Sequence, residues 1–133
     1  MPTVFEKLNL KDQKQIVILK APASFEYEIA ALKSIAVHRD LKGAPSTSFV
    51  LAFATRKSEV DALAAPIAAQ AQGDAIVWFA YPKGTSKKLK CDFNRDNGWN
   101  VLEAAGFETV RIVAIDDDWS ALRFRRAEFV KAR

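Results

Sequence analysis

Three short stretches of the chain are apolar on consecutive residues, and they limit the fold more than any other feature. Gln15 to Lys20 holds Ile16-Val17-Ile18-Leu19, Ser48 to Thr55 reads SFVLAFAT, and Asp74 to Tyr81 contains Val77-Trp78-Phe79-Ala80-Tyr81. Side chains alternate between the two faces of a strand, so a strand apolar at every position has to be covered on both faces. The intervening sequence supplies the cover. Ser24 is placed to cap a helix with Phe25, Ile29 and Leu32 on one face and Glu26 and Glu28 in its first turn, where the helix dipole favours acids. Ser58, with Asp61 three residues on, opens a second helix with the stripe Val60, Leu63, Ile67 and Ala71; Pro66 predicts a kink inside it and Gly73 its end.

Further strands are expected at Ser34 to Leu41, which alternates weakly, and at Thr109 to Ile115. A third helix is predicted over Asn97 to Ala105, stopped by Gly106 in a left-handed conformation with Phe107 folded back on Leu102. Ala121 to Arg126 alternates Leu122 and Phe124 with Arg123 and Arg125, the pattern of an antiparallel edge strand with one wet face. The order of elements predicts a single α/β domain: a mainly parallel mixed sheet of five to six strands with helices packed on it, and an antiparallel C-terminal edge strand. Residues 1–14 form an N-terminal arm, with Val4, Phe5, Leu8 and Leu10 packing on the core, and 15–130 the core.

The length of 133 residues suits one domain. A net charge of +4 permits anionic partners without demanding them. One cysteine excludes an internal disulfide and a cysteine-based zinc site, and one histidine removes most triad and metal chemistry. No apolar stretch reaches the roughly 18 residues of a membrane span, and the start of the chain lacks a secretory pattern, so a cytoplasmic protein is expected.

In parallel α/β sheets, ligands bind beyond the carboxyl ends of the strands. That rim would collect Lys20 and Ser24, Arg56 to Ser58, the loop Lys83 to Lys88 with Arg95, and the turn Asp116 to Trp119. The loop combines Lys83, Thr85, Ser86 and Lys87 with a helix start just beyond, which is the chemistry of an anion site, although it lacks the spacing of a Walker loop and the glycines of a dinucleotide fingerprint. The candidate ligand-binding residues are therefore Lys83, Thr85, Ser86, Lys87, Arg95 and Trp119. The competing reading pairs the lysines with Asp116, Asp117 and Asp118. Three consecutive acids on an extended chain point different ways, so no metal site is assigned. His38 reads as a surface residue and Trp99 as core; Cys91 lacks a matching base, so no catalytic residue is assigned. Arg123, Arg125, Arg126, Lys131 and Arg133 could touch nucleic-acid phosphates, but charge on an edge strand also protects against aggregation.

The segments Trp78 to Lys83 (WFAYPK), Thr85-Ser86-Lys87, Arg95 to Trp99 (RDNGW) and Trp119 to Arg125 (WSALRFR) resemble a family of small bacterial proteins built on a domain of unknown function. The likeness runs from about Ile16 to Phe129. It implies that the lysine loop, the RDNGW helix start and the WSALRFR strand form one unit, and it carries no activity. The expected function is a non-enzymatic binding module, without a cofactor, that takes an anionic small molecule or an acidic protein group at the rim. The alternatives are weak nucleic-acid binding through the basic loop and the C-terminal arginines, and a hydrolase or transferase using Asp92, Asp96 or Asp116.

Overall fold

The computed structural model describes residues 4–8, 10, 15–32, 35–40, 47–83, 91, 93 and 99–130. A six-stranded sheet runs through the domain. Its strands are β1 (Gln15–Leu19), β2 (Ala36–His38), β3 (Thr47–Phe53), β4 (Ala71–Pro82), β5 (Phe107–Ala114) and β6 (Trp119–Arg126), in the spatial order β2-β1-β3-β4-β6-β5. The first four are parallel, and β6 runs antiparallel to both β4 and β5. The three apolar runs became β1, β3 and β4, the centre of the sheet, as full burial on two faces requires.

One face carries Val17, Val50, Val77, Phe79, Leu122 and Phe124 beneath α3 (Lys57–Gln70) and α4 (Asn100–Ala104). The other carries Ile16, Ile18, Leu51, Trp78 and Ala121 beneath α1 (Val4–Lys7) and α2 (Glu26–Ala30). Trp99 is buried against Phe79, Tyr81, Phe93 and Phe124, with ring centroids 5.0–5.9 Å apart among these aromatics, so its indole is core. The arm is fastened through α1: Val4, Phe5 and Leu8 are buried, and the Trp78 indole N–H donates to the Leu8 carbonyl at 2.8 Å. A short helix, α5 (Ala127–Val130), follows β6.

Several local expectations give way. β6 is an interior strand, and the edge is β5, with Val110 and Ile112 exposed. The alternation in ALRFRR was sound, but the arginine-bearing face is only partly open, because α1 lies on that side and Arg125 stands opposite Glu108 of β5. Ser24 falls inside a 3-10 turn (Ala23–Phe25) that precedes α2, and Pro22 occupies the cap position. Arg56, not Ser58, is the N-cap of α3, and Asp61 pairs with Lys57 at 3.0 Å instead of completing a capping box.

Pro66 does not break α3, which is continuous from Lys57 to Gln70. Pro66 and Ala62 both lie on the exposed side, so the carbonyl that loses its donor can be hydrated. Nor is Gly73 needed to end the helix: β4 begins at Ala71, and Arg126 caps the end by donating from Nη2 to the carbonyls of Ala68 (2.8 Å) and Ala71 (2.9 Å). Gly106, at φ 96°, does stop α4 as expected.

Candidate functional site

The crossovers from β1 and β3 diverge. From β1 the chain passes through α2, on one face, to β2; from β3 it passes through α3, on the other face, to β4. Since β1 and β3 are hydrogen-bonded neighbours, their carboxyl ends flank a crevice where the α2 and α3 crossovers part to opposite faces, the usual ligand position in such sheets. A cavity of about 230 Å³ opens there. Its walls are Lys20 and Pro22 after β1, Phe53 and Thr55 at the end of β3, Glu59 on α3 and Trp119 at the start of β6.

Local sequence fixes each wall. Lys20 takes φ 59°, the only non-glycine residue with positive φ among the described residues, and the conformation turns the chain out of β1 directly into Pro22. A non-glycine residue held there costs about 1–3 kcal/mol, so the surroundings must over-determine it. Phe53 and Trp119 meet edge to face with centroids 5.1 Å apart, and Phe53 also stacks at a tilt on Phe25 at 5.0 Å. Trp119 is only 5% exposed. The turn before it is organised by Asp116, whose Oδ1 accepts the backbone N–H groups of Asp118 and Trp119, both at 2.8 Å.

Glu59 is the polar centre. Its Oε1 accepts from the Thr55 N–H at 2.9 Å, the Thr55 hydroxyl at 3.2 Å and the Arg56 N–H at 3.1 Å, and its Oε2 stands 3.8 Å from Lys20 Nζ. Burial pushes the Glu59 carboxyl up, but the Thr55 and Arg56 donors and the Lys20 charge outweigh it and hold the carboxyl below its usual range. Glu59 is therefore a fixed anion at neutral pH, suited to anchoring a cation and poorly matched to general-base work.

Of the sequence-predicted site residues, Trp119 lines this cavity. Lys83 lies at the same sheet end without lining it; its N–H donates to the Asp118 carbonyl at 2.8 Å, which continues the β4–β6 ladder one residue past Pro82–Trp119. Lysine loop and acidic turn thus begin side by side, joined by backbone. Thr85, Ser86, Lys87 and Arg95 lie outside the described residues, as do Asp92 and Asp96. Among the described residues no group of acids, histidines and cysteines could hold a metal ion, and no helix is long and apolar enough to cross a membrane. His38 meets Gln15 Oε1 at 3.0 Å, and Arg39 grips Glu26 with two bonds of 2.8 and 2.9 Å, drawing the Glu26 carboxyl down through those hydrogen bonds. Arg126, read as a possible phosphate contact, is occupied with capping α3 and stacks over Phe107 at 4.9 Å.

Sequence reasoning placed Lys20 on the rim but missed Glu59. The available signal was an acid three residues after the true N-cap, at the position whose side chain returns to the cap's N–H. Choosing Ser58 as cap moved that position to Asp61.

No protein-family model and no curated protein matches the chain. Solved structures do match it in fold. A SAM-dependent methyltransferase from Aquifex aeolicus superposes with a TM-score of 0.60 at 12% identity, covering 92% of this chain and 87% of that one. Magnesium protoporphyrin IX methyltransferase from Synechocystis PCC 6803, with bound SAH, gives 0.55 at 12% identity, covering 92% and 78%. The pyocyanin biosynthetic protein PhzM gives 0.58 at 13% identity and covers 93% of this chain, which spans only 54% of PhzM's length. At these identities the likeness establishes the fold, an α/β architecture shared with SAM-dependent methyltransferases. It overturns the expectation of a non-enzymatic anion-binding module at the lysine loop: the scaffold is one on which methyltransferases are built, and the open crevice is between β1 and β3.

Proposed function

We propose that this chain is a small-molecule enzyme of the methyltransferase fold, and that the crevice between β1 and β3 is its working site. The observation that carries the proposal is the position of the Lys20–Glu59 pair and the Phe53–Trp119 wall in a cavity at the sheet's switch point. With Glu59 held as an anion, the crevice acts by binding, orienting and excluding water. These effects accelerate group transfer without a general base.

Methyl transfer from S-adenosylmethionine is the activity the fold suggests first, and the crevice meets only part of its demands. A sulfonium beside an aromatic wall and a carboxylate is favourable cation–π chemistry. The adenosyl half is poorly served. Lys20 to Phe25 contains no glycine, Pro22 offers no N–H, and a lysine holds the left-handed position, so the backbone cannot approach a nucleotide as a glycine-rich turn does. A cavity of about 230 Å³ is also smaller than the roughly 300–1,000 Å³ of cofactor- and drug-sized pockets. The residues present do not fit the whole cofactor, and no step is derived through it.

The test is an NMR titration of labelled protein with S-adenosylmethionine, S-adenosylhomocysteine, and a panel of amino acids, amines and carboxylic acids. A compact ligand is expected to shift the Trp119 indole and the amides of Lys20, Thr55 and Arg56 saturably. If every compound leaves those four signals unmoved, the crevice is not the working site.

A further inference from the structure

We infer that the crevice selects a compact zwitterion, a free α-amino acid, with Lys20 receiving the carboxylate and Glu59 the ammonium. This rests on the crevice being the working site and adds the chemistry of its ligand.

The spacing of the two charges is the first observation. Lys20 Nζ and Glu59 Oε2 are 3.8 Å apart, well beyond the roughly 2.7–2.9 Å of a charge-assisted hydrogen bond. Both groups line the cavity. Glu59 Oε1 is filled by three donors from Thr55 and Arg56, so Oε2 is the oxygen open to a ligand. An ammonium held there has a second acceptor within the same wall, because the Thr55 hydroxyl spends its proton on Glu59 and keeps its lone pairs. Lys20 brings three N–H donors and no acceptor, which suits a carboxylate.

The requirement for both charges follows from balance. A simple anion would satisfy Lys20 and draw it from Glu59, leaving a partly buried carboxylate without its counter-charge; a simple cation would pair with Glu59 but leave Lys20, whose side chain is half exposed, to water and contribute only one of the two contacts. A neutral ligand would gain nothing from the pair. A zwitterion with its charges on neighbouring carbons replaces one long contact with two short ones and leaves the site neutral. Phe53, Pro22 and Trp119 form the apolar remainder of the wall, so an aliphatic or aromatic side chain is favoured over a polar one. The size of the cavity keeps the ligand small.

The experiment is isothermal calorimetry on the full chain with L-leucine, L-methionine and L-phenylalanine, each beside its decarboxylated amine and its deaminated acid. The best amino acid is expected to bind at least ten-fold more tightly than either of its one-charge analogues. Lys20→Met should weaken that amino acid to the level of its amine, and Glu59→Gln to the level of its acid. Glutamine at this helix position can still accept the Arg56 N–H, and an unchanged urea midpoint for Glu59→Gln would separate lost binding from lost folding. Equal affinity for amino acid and analogue, or ratios untouched by both substitutions, would overturn the proposal. If S-adenosylhomocysteine or another compound shifts Trp119 while no amino acid does, the zwitterion falls and the crevice stands; if nothing shifts it, both fall.

Discussion

Glu59 and Lys20 face each other across 3.8 Å at the mouth of the crevice, while the other Glu59 oxygen holds Thr55 and Arg56 at the start of α3. One carboxylate thus joins the scaffold to the cavity. Replacing it with alanine leaves helix donors without their acceptor, at a cost of about 0.5–2 kcal/mol, the range for a lost cap. Urea unfolding at pH 7 measures this, and Glu59→Gln should cost less than Glu59→Ala.

The same group gives stability a pH dependence. The folded carboxyl is held below its ordinary value of 4.5, so the unfolded chain binds the proton more readily. Its contribution is fully present above pH 4.5 and is lost as pH falls through the depressed value. Urea midpoints from pH 7 down to pH 3 should decline less steeply in Glu59→Ala than in the parent protein. Equal slopes would show that the Thr55 and Arg56 bonds do not favour the ionised form.

Lys20 sits at φ 59°, where glycine carries no steric penalty. Lys20→Gly is expected to raise stability by up to about 1 kcal/mol, provided relief of strain exceeds the added freedom of the unfolded chain. The same substitution removes the charge facing Glu59 and, on the proposed reading of the crevice, weakens an amino acid to the level of its amine. A more stable protein that binds less well would mark Lys20 as a residue kept for function, and an unstrained Lys20 would leave the urea midpoint where it is or lower it.

Much of the sheet could be read from residue pattern. Ile16 to Leu19, Phe49 to Ala54 and Val77 to Tyr81 carry their own evidence of two-sided burial, and Gly106 announces the end of α4. What could not be read was contributed by distant partners. Arg126 ends α3 from 55 and 58 residues away in sequence, so Gly73 was given a role that a side chain fills. The partial cover on the arginine-bearing side of β6 comes from α1, more than a hundred positions upstream. The site shows the same division: Trp119 was found at the rim because strand ends are local, whereas the crevice needed the strand order β1–β3 and the true cap of α3.

Among the described residues the N-terminal arm is held by hydrogen bonds from the Trp78 indole to the buried Leu8 carbonyl at 2.8 Å and from Lys7 Nζ to the Ala114 carbonyl at 3.0 Å, together with the packing of Val4, Phe5 and Leu8. Trp78→Phe removes this donor from the Leu8 carbonyl, at about 1–3 kcal/mol, with a cavity term added because Trp78 is fully buried. Amide exchange should locate part of the effect at α1, with faster exchange at Leu8 and Leu10, whose N–H groups donate to Val4 and Phe5. Uniform acceleration over the whole sheet would instead mean that the arm and the core open together.

Arg126 separates a structural role from a phosphate-binding one. Its Nη2 donates to two carbonyls at the end of α3, and its guanidinium lies 4.9 Å over the Phe107 ring, so it ties α3 to β5 and β6. Lysine keeps the charge but cannot reproduce the planar fork or its stacking. Arg126→Lys is therefore expected to cost about 1–2 kcal/mol in urea unfolding, from lost cap bonds and weakened cation–π contact. Were Arg126 a phosphate contact only, lysine would preserve stability. A urea midpoint unchanged in Arg126→Lys would show that the helix end is satisfied without it.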